Sequence, residues 1–176
     1  MVKLTRFIAY TLFFIMMLLL FFPKEQLFYA FEKELQKEKI LIANEEYTEH
    51  LLSLELREAE LYYDGMQVAK VASTEITLLA LYNILEASDI ELSKVVERFF
   101  PPKIATLTLH HTLLEPFVVS GEMQGEFGSA RLLLDLKQRR LHISLVPSKL
   151  MKQEFSSSLR MFKKEANGEY SYEKAL

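Results

Sequence analysis

Few residues in this chain have the type and spacing to do chemistry, and each group meets a physical objection. His110 and His111 suggest a metal pair, but adjacent residues on a strand point to opposite faces. Their imidazoles cannot close on one ion without a break in the strand. His50 and His142 have no ligand spacing around them. The carboxylate pairs Glu45-Glu46 and Glu58/Glu60 have no partner that would split them into acid and base, and read as turn or solvent-face charges. The run Gly121-Glu-Met-Gln-Gly125-Glu-Phe-Gly128 has neither the dinucleotide-binding spacing nor a P-loop's Lys-Ser or Lys-Thr. Those glycines fit bends in a sheet. Ser156-Ser157-Ser158 lacks the strand-to-helix setting of a nucleophile elbow. No catalytic, metal or cofactor residue is assigned, and the expectation is a non-enzymatic protein.

Composition sets further bounds. The chain has 176 residues, long enough for one domain of ordinary size. There is no cysteine, which excludes disulfides, thiolate metal sites and a cysteine nucleophile. Setting Lys3 and Arg6 aside leaves 19 basic residues against 24 acidic, a net −5 for the body. An acidic body without a basic run argues against nucleic acid.

The elements that must position any site begin with an apolar run at residues 7–22, from Phe7 to Phe22, free of charge and preceded by Lys3 and Arg6. Large residues follow it where signal-peptide cleavage requires small ones, so a retained membrane span is expected. With a short tail at 1–6 kept inside, the body would lie outside the cytoplasm. The expected location is the bacterial inner membrane, single-pass, N-terminus cytoplasmic and body periplasmic.

Residues 24–39 place Leu27, Phe31 and Leu35 four apart with Phe28 alongside, an amphipathic helical stripe. It has two candidate uses: lying in the membrane interface, or docking on its own domain. From Ile40 the period changes to two. Leu52, Leu54 and Leu56 alternate with polar residues; then the phase slips by one, so that Ala59, Leu61 and Tyr63 continue the apolar face, as at a β-bulge. Asp64-Gly65 predicts a type I′ turn and a hairpin over 52–71. Residues 74–82 and 89–96 are ambiguous between strand and mixed strand and helix. After Pro101-Pro102, Leu107, Leu109 and His111 share a face, followed by Phe117, Val119, Gly121 and Met123.

Leu132, Leu134 and Leu136 alternate on one strand, and Leu141, Ile143 and Leu145 on the next. These six form the candidate apolar groove or partner face, since a hairpin would bring them to one side. Pro147 ends the series. Ser148 suits an N-cap, and Leu150, Met151, Phe155, Leu159 and Phe162 predict a helix to about Lys164. Its Lys149, Lys152, Arg160, Lys163 and Lys164 either grip lipid or an acidic partner, or complement the helix's own dipole.

Short strands with tight connections predict an antiparallel meander. The expected fold class is α+β: an N-terminal single transmembrane helix (7–22), a juxtamembrane amphipathic helix (24–39), a mainly antiparallel, curved β-sheet domain (40–147), and a C-terminal amphipathic helix and tail (148–176).

The stretches Leu54-Glu-Leu-Arg-Glu-Ala59-Glu-Leu61-Tyr-Tyr-Asp-Gly65-Met-Gln-Val68-Ala69 and Gly125-Glu-Phe-Gly128-Ser-Ala-Arg-Leu132 resemble the protein N component of bacterial type II secretion systems. That family is similar in turn to AsmA-like envelope proteins, whose curved antiparallel sheets resemble a folded taco. The resemblance covers about 52–147. It implies a non-enzymatic inner-membrane protein, without cofactor, serving as a structural or assembly subunit of an envelope or secretion complex. Its partners would be the membrane, through residues 7–22, and other envelope proteins. The alternative it implies is handling of lipid or another apolar ligand in a sheet groove.

Overall fold

The computed structural model describes residues 2–20, 24–79 and 82–175. One large antiparallel sheet makes up most of the described structure, with two helices ahead of it in the chain and two short ones near its end, so the expected α+β class gives way to a mainly β fold. Helix α1 covers Val2–Leu20 and α2 covers Lys24–Lys37. The strands are β1 (Ile40–Ala43), β2 (Glu46–Glu49), β3 (Ser53–Tyr63), β4 (Met66–Leu78), β5 (Tyr82–Leu92), β6 (Lys103–Thr112), β7 (Val118–Gly125), β8 (Gly128–Asp135) and β9 (Arg140–Pro147). Helices α3 (Lys149–Glu154) and α4 (Ser156–Leu159), then β10 (Lys163–Lys164) and β11 (Tyr170–Ala175), complete the order. The sheet runs β1-β3-β4-β5-β6-β7-β8-β9-β11-β10, with β2 also paired to β3.

The membrane-spanning expectation is corrected. Among the described residues no helix is long and apolar enough to cross a membrane. With it falls the single-pass inner-membrane location, N-terminus cytoplasmic and body periplasmic. The physical reason lies in length: the uncharged part of α1, from Phe7 to Leu20, is 14 residues and rises about 21 Å, against a hydrocarbon core of ~30 Å. The far end of the expected span, 21–23, lies outside the described residues, as do the side chains of Leu27 and Phe31 in the amphipathic stripe. Of the two uses considered for that stripe, docking on its own domain is what Phe28 does. It is buried with Leu54 and Leu56, and Ile42 and Ile76 pack around them.

The β3–β4 hairpin turns at Asp64 (φ 50°) and Gly65 (φ 79°), the two positive dihedrals that a type I′ turn demands. The phase slip at Glu58 is not confined to β3. Glu58 has φ 56°, and Asp89 on β5 has φ 51°. Between them, buried or half-buried face residues stand three apart on each strand: Leu56 and Ala59, Val71 and Thr74, Ala87 and Ile90, Ile104 and Leu107. One irregularity thus passes from strand to strand as a crease, ending at the register shift between β6 and β7. It lets the same face remain apolar on both sides of the bend.

Two clusters cover the ends of that face. Phe28 on α2 covers the β3 end. At the other end Met151 and Leu159, on α3 and α4, are buried with Phe127, Ala130 and Leu145. Ser148 caps α3, its Oγ accepting from the Met151 amide at 3.1 Å. The helix expected to reach Lys164 breaks at Phe155 (φ −114°, ψ 27°), before the three serines. Serine hydroxyls compete for backbone partners, which weakens a helix interior.

Candidate functional site

Between the two covers the apolar face is open, and its organisation is visible only across strands. Strand register puts Leu54 opposite Ile76, Ile76 opposite Leu85, and Leu85 opposite Leu109. The same row continues through Gly121 and Leu132 to Ile143. A parallel row runs Leu78, Asn83, His111, Val119, Leu134 and Leu141. Side chains in directly opposed positions stand ~4.5–5.5 Å apart at Cβ, so the first row is apolar throughout, while Asn83 and His111 interrupt the second with polar groups.

The sequence-derived candidates lie on these rows or beside them. Leu132 opposes Ile143 and Leu134 opposes Leu141, while Leu145 opposes Ala130. Leu145 is buried under the C-terminal helices and Ile143 packs against that cluster. Leu132, Leu134 and Leu141 are half-buried, and Leu136 lies beyond the end of β8, exposed. The hairpin therefore brings five of the six together and leaves Leu136 out.

A cleft of about 360 Å³ opens where α2 meets the rows, lined chiefly by Phe28, Leu54, Ile76, Leu78, Leu85, Leu109 and Val119. Its size falls within the range of small-molecule sites, ~300–1,000 Å³. Gly121 sets the floor beyond it. A Cβ at that position would stand 2.5 Å from Leu109 Cδ2 and 3.1 Å from the Thr108 carbonyl oxygen. Glycine is what lets the Leu109 side chain lie along the row.

Polar groups at the cleft sit at its borders. Lys24 and Phe28, four residues apart on α2, share one helix face. Lys24 lines the cleft and is only 2% exposed, and its Nζ donates to Glu49 Oε1 at 3.1 Å. A second bond joins the same elements, Tyr29 Oη to Tyr47 Oη at 2.7 Å. His110 and His111 diverge. The His110 ring stacks on Tyr82, whose hydroxyl lies 2.6 Å from Nδ1. His111 reaches the Pro116 carbonyl oxygen through Nε2 at 3.2 Å.

The opposite face is polar: Glu55, Glu75 and Glu86 stand in direct register on β3, β4 and β5. One arrangement there has the connectivity of a catalytic triad. His142 Nε2 lies 3.1 Å from Ser144 Oγ, and Nδ1 lies 3.2 Å from Glu173 Oε1. Its setting differs from one. Glu173 is 76% exposed, whereas a triad acid is buried to hold the imidazole rigidly. Ser144 and its neighbours lie on β9, paired on one side to β8 and on the other to β11, so their backbone amides serve the ladders instead of an oxyanion. A wider recess of about 780 Å³ at the crease is lined by mixed charges, among them Asp89, Glu91, Lys103 and Glu126. Neither place gathers groups of one chemical purpose as the cleft does.

Ile76, Leu85, Lys24 and Gly121 escape local sequence reading as members of one site. Cross-strand register brings Ile76, Leu85 and Gly121 into one row, and α2 carries Lys24 to its end. The only local signal is the four-residue spacing of Lys24 and Phe28. Comparison of the chain with protein-family models, curated proteins and solved structures finds no match in any of the three.

Proposed function

We propose that this protein is a non-enzymatic binding module that holds an extended apolar ligand along the rows of its sheet. The observation that carries the reading is the partial cover of the apolar face. The chain's own helices close both ends, yet Ile76, Leu85, Leu109, Val119, Leu132 and Leu134 stay half-buried between them. Each such side chain gains ~1.5–3 kcal/mol when fully removed from water, so this strip favours an apolar occupant. The path from β3 to β7 crosses four strand spacings, about 19 Å, which suits one extended hydrocarbon chain. This is the lipid-handling use that resemblance to AsmA-like proteins implies.

A neutral apolar fluorophore, 1-aminoanthracene, tests the proposal. The full chain should bind it saturably with a blue-shifted emission. Leu85→Asp should abolish that binding while circular dichroism keeps its β signal. Equal binding by the folded variant would contradict the proposal.

A second reading has one observation in its favour. Strand β10 covers only Ser171 and Tyr170 of β11, and among the described residues the outer edge of β11 from Tyr172 to Ala175 has no strand beside it. An extended segment of another envelope protein could add there, which is the assembly-subunit role. Photocrosslinking from position 174 to a protein partner, lost on Tyr172→Pro, would favour it.

A further inference from the structure

Resting on the apolar-ligand reading of the cleft, we infer that its ligand is a single-chain amphiphile with an anionic head, and that Lys24 reads that head. Among the described residues lining the cleft, Lys24 is the one with a fixed positive charge. It stands at the β3 end of the long row, beside Phe28 and Leu54. A tail extended over Ile76, Leu85 and Leu109 therefore brings its polar end to this ammonium.

Burial and bonding capacity sharpen the argument. A lysine is seldom buried without a use, because removing an ammonium from water is costly unless acceptors replace the hydration. An ammonium carries three donors. Among the described residues its hydrogen-bond acceptor is a single oxygen of Glu49, at 3.1 Å, on a side chain that is 46% exposed. Glu49 thus fills one donor position of an ammonium whose residue also lines the cleft. An anionic head bridged to Glu49 through Lys24 would complete the set. The polar groups across the cleft do not offer the same. His111 contacts the Pro116 carbonyl, and Asn83 is a neutral amide 3.5 Å from that imidazole. The ligand class follows from charge: a long-chain carboxylate or phosphate ester, in preference to a neutral alcohol of the same length or a cationic amphiphile.

Displacement of 1-aminoanthracene from the full-length protein by palmitate and by hexadecanol, both below their aggregation limits at pH 8, tests the inference. Palmitate should bind tighter by roughly tenfold or more, the scale of one charge-assisted hydrogen bond. Lys24→Met keeps the side chain's length and should erase the difference between the two compounds. Glu49→Gln removes the competing carboxylate and should widen the preference. Equal affinities in the wild type would overturn the head-group assignment and leave the apolar cleft standing. A preference that survives Lys24→Met would also overturn it, since the head would then be read elsewhere. If neither compound displaces the fluorophore, the cleft reading itself fails. Where Lys24→Met does not fold, Glu49→Gln tests the same ammonium, and an unchanged preference in that variant would overturn the assignment.

Discussion

Gly121 lies directly opposite Leu109 across the β6–β7 pair, and a side chain on Gly121 would occupy the volume that Leu109 now fills. That relationship keeps the long row continuous from the cleft toward Leu132. Gly121→Val should overpack this point and lower stability by about 1–3 kcal/mol, read as a fall in the urea midpoint. It should also weaken 1-aminoanthracene binding, because Leu109 must turn into the cleft. An unchanged midpoint would mean that the two residues do not compete for space.

The clasp between α2 and the sheet depends on Phe28 seated against Leu54, which is 1% exposed. Leu54→Ala should cost about 2–5 kcal/mol through lost transfer energy and the cavity left behind. Leu136→Ala, at an exposed position, serves as the control and should change stability by less than about 0.5 kcal/mol. Similar losses for the two would argue against the packing described.

The Asp64-Gly65 turn gives a backbone prediction. Gly65 has open space around it but a φ of 79°, so the objection to a side chain there is conformational, not steric crowding. Gly65→Val should destabilise the fold by about 1–3 kcal/mol, and Gly65→Asn by much less, since asparagine tolerates positive φ. Thermal melts of both variants would show the ranking; equal losses would contradict it.

Much of this architecture is written in local spacing, and some of it cannot be. The alternation of Leu52 to Leu56, the slip after it and the Asp-Gly dipeptide lead directly to the first long hairpin, as do Leu132 to Leu145 for the last. The ambiguity at 74–82 and 89–96 has a physical origin in the crease. Val71 and Thr74, like Ala87 and Ile90, sit three apart on the same face, which breaks the two-residue period and mimics a helical one. The continuous stripe from Leu150 to Phe162 likewise masks a break, because Phe155 and Phe162 pack on one cluster from separate short turns. The apolar run at 7–22 has the composition of a span, but among the described residues no helix is both long and apolar enough to cross a membrane. The cleft is hidden for a different reason: Ile76, Leu85 and Leu109 become neighbours only when β4 pairs with β5 and β5 with β6.

A titration probes the other border of the sheet. The Lys70 ammonium, 2.7 Å from Glu60, together with hydrogen bonds from the Tyr62 hydroxyl and the Asn44 amide, holds the Glu60 carboxyl down at about 2. The folded value lies below the ordinary 4.5, so the stabilisation is fully present above pH 4.5 and is lost as pH falls toward 2. Wild type should exceed Glu60→Gln in stability at pH 6, and the gap should close between about pH 4.5 and 2. A gap independent of pH would show that the charge on Glu60 is not what ties β1, β3 and β4 together.

The most direct measurement of the central claim uses the absence of native cysteine. A single thiol is introduced on the cleft face by Leu109→Cys and, in a separate protein, on the polar face by Glu86→Cys. The rate of maleimide alkylation is then measured with and without saturating hexadecanol. An apolar ligand lying along the row should slow alkylation at position 109 several-fold and leave position 86 unchanged. Equal rates with and without hexadecanol at position 109, or equal slowing at both positions, would contradict the account.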